Sequence, residues 1–303
     1  MLAAHQDGQD VALPTSGTTG AAGEVVRTTA SWWSSFAAYA DLSGVRPGDR
    51  VWVPGPLAST MNLFAAVHAR ATGARLCDAP ASRAVLTPAL LERHLDELRP
   101  GTRVVVAGDA LSPALSARAA AVGVETAHYY GAAELSFVAC GRDAASLRAF
   151  PGAEVAVVDG VVWVRSAYVA RSGPALRRRD DWASVGDLGT YDGTTLSVTG
   201  RPEAITTAGA TVVLSEVEAA LAGRATCFAV PWDGLGAILG AAVPPEDDAA
   251  VRASAGALPP AWRPRLWLCV DEPPLTVAGK IDRAALTRRW QAAHPGHGAT
   301  GRV

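Results

Sequence analysis

The sequence holds little cysteine and sets it in no pattern. Its four cysteines, Cys77, Cys140, Cys227 and Cys269, stand far apart with no CxxC or Cys/His spacing. Neither a zinc site nor a disulfide framework is expected, and reduced, buried thiols are. Charge of one sign is lacking too. The formal net charge is −2 over 303 residues, which argues against nucleic acid or an acidic membrane surface as a main partner. The basic run at 177–179 is answered at once by Asp180 and Asp181 and reads as a solvated loop. No apolar run reaches the roughly 18–20 residues that span a bilayer. The start, MLAAHQDGQD, has neither the basic beginning nor the apolar core of a signal peptide. A soluble, cytoplasmic protein is therefore expected. No internal repeat is visible.

What is present is ample apolar material, 49% of residues, enough for one large domain or two smaller ones. Apolar runs alternate with Ala/Leu-rich amphipathic stretches, the texture of an α/β fold. RVWVPGP (50–56) reads as a buried strand and NLFAAVHARATG (62–73) as a helix ending on glycine. PALLERHLDEL (88–98) is a predicted helix and TRVVVAGDAL (102–111) a strand running into a Gly-Asp turn. SPALSARAAAVG (112–123) is a helix with a Ser cap, an early Pro and a terminal Gly. Past about Phe150 the texture changes. AEVAVVDGVVWVRS (153–166) folds back at Asp159-Gly160 as a hairpin, and 189–201 repeats the pattern at Asp192-Gly193. A smaller unit begins near Arg201, with a helix at 215–223 and strands at 227–232 and 265–270. A Pro/Asp-rich loop at 244–248 lies between those strands, and the last dozen residues should fray.

Five stretches carry the chemistry. LPTSGTTGAAGEVV (13–26) packs Gly, Ser and Thr together, so backbone N–H groups can converge on an anion without Cβ clashes. Taken alone it is equally a surface loop with no ligand. HYYGAAELSF (128–137) offers Tyr130 to stack on a base and Glu134 to hold Mg²⁺, or else a core tyrosine beside a surface glutamate. Asp187, in SVGDLGTYDG, suits ribose hydroxyls, though Asp in a turn is commonplace. Arg201 opens the fourth stretch. PPLTVAGKIDRAAL (273–286) sets Lys280 after a Gly turn, as a solvated loop charge or as a group carried into a reaction centre.

In this order the five stretches resemble the adenylate-forming superfamily of acyl-CoA synthetases, luciferases and peptide-synthetase adenylation domains. TSGTTG looks like its phosphate loop, YGAAE like YGxTE, VGDLG like TGD and GRPEAI like the hinge motif GRxD. PLTVAGKIDR matches PxTxxGKxxR closely. The likeness covers roughly 13–286. It implies an α/β fold: a truncated large domain (1–200) with a mixed sheet, helices and a small β-subdomain, then a small, mobile α+β carboxy-terminal domain (201–303). It implies a ligase that activates a small carboxylic acid with ATP and Mg²⁺ to acyl-AMP and passes the acyl group to CoA. The acyl acceptor is alternatively a carrier protein, and a weakened nucleotide- or acyl-binding protein is the third reading. By motif position, Thr15, Ser16, Gly17, Thr18, Thr19 and Gly20 hold phosphates. Tyr130, Gly131 and Ala132 form the adenine slot, Glu134 binds Mg²⁺, and Asp187 and Arg201 hold the ribose. Glu203 is the hinge and Lys280 the catalytic cation. Ser59, Gly108 and Asp109 line the acid pocket, and Ala208 and Gly209 the thiol tunnel.

Several positions depart from the family pattern. Gly23 and Glu24 follow the loop where the pattern has Lys-Gly, Ala133 and Val185 replace threonines, and Ser59 stands where a histidine is common. Family members carry far more chain ahead of the loop than the short stretch before Thr15, so most of an amino-terminal subdomain is expected to be missing. Its loss would uncover apolar surface, which a second copy can cover. The expectation is a homodimer, and light scattering that finds only monomer across micromolar concentrations removes it.

Overall fold

The computed structural model describes residues 5, 7–15, 23–200, 204–207, 210–232, 236–277 and 279–295. The chain forms two compact units, residues 1–200 with 277–280 and residues 201–276 with 281–303.

A hairpin opens the first unit. β1 (Asp10–Thr15) and β2 (Gly23–Thr28) pair antiparallel with Thr15 opposite Gly23. The stretch 16–22 between them lies outside the described residues. Thr28 caps α1 (Thr29–Trp33) by accepting from the Ser31 N–H, and α2 (Phe36–Ser43) follows.

A seven-stranded sheet comes next. β3 (Arg50–Trp52), β4 (Arg75–Cys77), β5 (Arg83–Leu86), β6 (Arg103–Val106) and β7 (Glu125–Ala132) run parallel. β8 (Ser136–Gly141) and β9 (Arg148–Ala149) add antiparallel. The order is β4-β3-β5-β6-β7-β8-β9. Val104, Val105 and Val106 are buried, as strands covered on both faces require. α3 (Thr60–Thr72), α4 (Pro88–His94) and α5 (Pro113–Ala121) lie between successive strands. The starts of the last two are written in the sequence. Thr87 and Ser112 accept from the N–H groups of Leu90 and Leu115, and each precedes a proline. The predicted helix at 88–98 tightens into a 3₁₀ turn at Leu95–Glu97.

The chain leaves β3 for β4 on one side and returns to β5 on the other. Strand order therefore reverses between β3 and β5, where open α/β sheets offer a crevice at their carboxyl ends. Aromatic rings fill the core behind the sheet. Phe137 has ring centroids of Tyr129 and Phe150 at 4.7 Å and of Phe64 at 4.9 Å.

The β-subdomain contains β10 (Ala153–Val158), β11 (Val161–Ser166), β12 (Arg177–Arg179), β13 (Trp182–Ser184), β14 (Leu188–Tyr191) and β15 (Leu196–Gly200). Their order is β12-β13-β11-β14-β15, with β10 on β11. Asp159 (φ 52°) and Gly160 (φ 76°) make the tight turn that the Asp-Gly pair signals. The run at 177–179 is not a loop. It is an exposed edge strand, and a row of charges there guards against edge-to-edge pairing.

The second unit has β16 (Ala204–Thr207), β17 (Ala210–Val213), α6 (Leu214–Ala220), β18 (Thr226–Trp232), β19 (Gly236–Val243), α7 (Asp248–Gly256), β20 (Leu266–Cys269) and α8 (Arg283–Ala293). The sheet runs β17-β16-β19-β18, with β20 parallel to β19. Glu218 on α6 joins the elements. Its carboxylate accepts from Arg283 Nη2 at 2.8 and 3.0 Å and from the Cys227 N–H at 2.8 Å. All four thiols are unpaired, but only Cys227 is buried, Cys269 is exposed and the other two are half-buried. Burial, and then the charge of Glu218, push the Cys227 thiol up to about 12. Among the described residues no helix is long and apolar enough to cross a membrane.

His68 on α3 is buried among the rings of Phe36, Tyr39 and Phe64. Desolvation, opposed by the Phe36 backbone, lowers its pKa from 6.5 to about 4. A folded-state value below the unfolded one means the neutral ring is favoured by folding. Its contribution is present above pH 6.5 and is lost as pH falls towards 4. In urea unfolding, His68→Leu should lose less stability than the wild type between pH 7 and about 4.5. Equal losses in both proteins refute this.

Candidate active site

Parallel strands end on one edge, so the loops after β3, β5, β6 and β7 collect there. Ser59 follows β3 as the cap residue of α3, half-buried, its carbonyl accepting from the Leu63 N–H. Gly108 and Asp109 follow β6 and are exposed, and Asp109 Oδ1 accepts from the Ala110 N–H at 2.8 Å.

Lys280 reaches the same edge. The sequence puts it in the second domain, whereas residues 277–280 cluster with the first unit. The Thr87 hydroxyl, at the end of β5, donates to the Gly279 carbonyl at 2.6 Å, and a Cβ on Gly108 would lie 3.6 Å from Lys280 Cε. One hydroxyl thus caps α4 and holds the lysine loop. Thr87 was missed by sequence reasoning, where its only signal was its place before Pro88.

Tyr130 and Asp187 are 57 residues apart in sequence and meet directly. The Tyr130 hydroxyl donates to Asp187 Oδ2 at 2.8 Å, and Asp187 is 9% exposed. The ring of Tyr130 is half-buried, as are Gly131 and Ala132. Gly131 is needed where it stands. The β7–β8 register shifts there, and a Cβ would fall 1.8 Å from the Ser136 carbonyl oxygen.

Glu134 sits in the turn from β7 to β8. It is no surface residue: its exposure is 5%, and Oε1 accepts from the Ala175 N–H at 3.2 Å. No other donor to this carboxylate stands among the described residues, and no cluster of three or more His, Cys, Asp or Glu is placed there to hold a metal. Mg²⁺ does not need such a cage. It binds through one or two carboxylates together with substrate phosphates and water, a donor set that Glu134 fits.

Sequence reasoning also passed over Arg27, whose buried guanidinium donates to the Ala133 carbonyl and the Ser136 hydroxyl on either side of Glu134. A lone arginine after two valines gave no signal. Thr15 is the last residue of β1, and Glu24 is exposed on β2. Ser16, Gly17, Thr18, Thr19, Gly20, Arg201, Glu203, Ala208 and Gly209 lie outside the described residues.

No family profile matches the chain. A probable 2-succinylbenzoate–CoA ligase of Mycobacterium tuberculosis is 33% identical over an alignment of 203 residues that covers 60% of this chain and 52% of the relative. The chain spans about half the length of the curated relatives it matches. Among solved structures, E. coli MenE with bound OSB-AMS superposes with a TM-score of 0.74 at 22% identity, covering 92% of this chain and 68% of that one. ATP-bound MatB from Rhodopseudomonas palustris gives 0.75 at 19%, covering 93% and 68%. The amide bond synthetase McbA from Marinactinospora thermotolerans gives 0.71 at 24%, covering 92% and 69%. These likenesses are of fold. The curated relative adds a sequence likeness over part of the chain, beside the five motifs that resemble the adenylate-forming superfamily.

Proposed function

We propose that the protein is an ATP-dependent, AMP-forming acyl-CoA ligase, in which a small carboxylic acid attacks the α-phosphate of ATP, pyrophosphate leaves, and CoA then takes the acyl group and releases AMP. The observation that carries this reading is Lys280. Of the 27 Lys and Arg residues in the sequence it is the only lysine. A chain that elsewhere uses arginine keeps a compact ammonium at one place, inside PLTVAGKIDR and beside Gly108. A guanidinium is a broad planar fork and an ammonium a point charge, and a point charge suits one developing phosphoryl oxygen.

The other roles follow from what each side chain is and touches. Thr15 to Gly20 offer backbone N–H groups and hydroxyls to the β- and γ-phosphates. The Asp187 carboxylate anchors the Tyr130 hydroxyl, and the face of that ring takes adenine, with Gly131 and Ala132 beside it. Asp187 and Arg201 bind the ribose. Glu134 would hold Mg²⁺, which supplies neutralisation of phosphate charge. Lys280 stabilises charge on the α-phosphate as the acyl carboxylate attacks, a kind of contact worth about 3–4 kcal/mol. Ser59, Gly108 and Asp109 border the acid, Ala208 and Gly209 the thiol, and Glu203 the hinge.

Incubation with ATP, Mg²⁺ and a panel of acids that includes 2-succinylbenzoate, with hydroxylamine as trap, should yield an acyl hydroxamate. Addition of CoA in place of the trap should yield a thioester. If ATP binds and no acid gives hydroxamate, the protein is a nucleotide-binding protein and not a ligase. Lys280→Ala should slow adenylate formation about a hundred- to a thousandfold, with ATP affinity by calorimetry close to wild type. Unchanged turnover in this variant rejects the assigned role.

A further inference from the structure

Arg27 is expensive where it stands. It is the first Lys or Arg of the sequence, lies on β2 and is 0% exposed. Desolvation lowers its pKa from 12.5 to about 10, opposed by the charge of Glu134. Nη1 donates to Ser136 Oγ at 2.5 Å and Ser31 Oγ at 3.4 Å, and Nη2 to the Ala133 carbonyl at 2.8 Å. Nε is buried and finds no acceptor among the described residues. The guanidinium carbon lies 5.5 Å from the Trp32 ring centroid. Its removal would strip the donors from the Ala133 carbonyl and the Ser136 hydroxyl and take the nearby cation from buried Glu134, so part of the burial cost is returned by what it touches.

What the guanidinium achieves is a connection. Its partners, Ala133 and Ser136, flank Glu134, and Ser136 is held at a left-handed φ of 57°. Residues 170–175 close the other side. Val26 exchanges backbone hydrogen bonds with Arg171 and Ser172, the Ala170 N–H donates to the Glu134 carbonyl, and the Ala175 N–H donates to Glu134 Oε1. A Cβ on Gly173 would fall 2.4 Å from Glu134 Cγ, so the Glu134 side chain has no room on that side. β2 is the strand that receives the glycine-rich loop, and no basic residue occurs from Thr15 to Val26.

We propose that Arg27 is a positioning residue that fastens β2 to the turn carrying Glu134, so that this carboxylate meets a Mg²⁺-bound triphosphate in a fixed place. This rests on the ATP-binding reading above. It assigns to one buried side chain the coupling of two segments more than a hundred residues apart.

The test uses Arg27→Met, which keeps length and apolar bulk, and Arg27→Lys, which keeps the charge but loses the fork. Thermal midpoint, MgATP affinity by calorimetry and adenylate kinetics are measured for each. Arg27→Met should melt below the wild-type midpoint, because Glu134, the Ala133 carbonyl and the Ser136 hydroxyl lose a buried partner. It should bind MgATP on the order of ten- to a hundredfold more weakly, with KM for ATP rising more than kcat falls. Arg27→Lys should recover only part of the affinity. A lower midpoint with wild-type MgATP affinity makes Arg27 a purely structural cation and overturns the proposal, as does a variant changed in neither respect. Should Arg27→Met fail to fold, full affinity in Arg27→Lys overturns it. Amide hydrogen exchange in the nucleotide-free protein separates this from failure of the ligase reading. Arg27→Met should exchange faster at Leu135 and Ser136 even if the wild type binds no ATP, and unchanged exchange there overturns the proposal.

Discussion

The reversal of strand order between β3 and β5 governs what the first unit can do. Parallel strands must all end on the same edge, so the loops behind them open side by side. Ser59, Thr87, Gly108 and the YGAAE segment come from four such ends, spread over about a quarter of the chain. None depends on a long or flexible loop to arrive. The sheet behind them is buried and aromatic-backed, so the edge is carried by a rigid base.

Electrostatics on that base is sparse. Glu134 is buried in a turn that Arg27 grips from one side and Ala175 from another. Asp187 is engaged by the Tyr130 hydroxyl. Lys280 comes to the edge through a backbone carbonyl held by Thr87. Each group is oriented by a neighbour rather than by its own flexibility, the arrangement that preorganised binding of a charged ligand requires.

Much of the local structure was legible. Thr87-Pro88 and Ser112-Pro113 announce helix starts, and Asp159-Gly160 announces a hairpin, because caps and turns act within a few residues. β19, α7 and α8 went unread in the small unit. GAILGAAV is built of small residues with no alternation, and the polar faces of α7 and α8 leave only two buried residues each, Val251 and Ala255 or Leu286 and Trp290. The arginine run was misread because charge on an edge strand looks, residue by residue, like charge in a loop. Burial of the thiols was overcalled, since nothing local distinguishes Cys227 from Cys269.

By itself the sequence carried a resemblance to the adenylate-forming superfamily, through five short motifs in order, and the places where chain direction changes, through glycine, proline and capping residues. Those are properties of neighbouring residues. Only the tertiary structure decided which motif residues meet. It joined Tyr130 to Asp187, set Lys280 beside Gly108 by way of Thr87, and buried Arg27 against the turn that carries Glu134. Such contacts bridge about 57 to 192 residues of chain, and no spacing rule reaches that far. They arise from how the parallel sheet, the first hairpin and the β-subdomain pack together, not from the order of the letters.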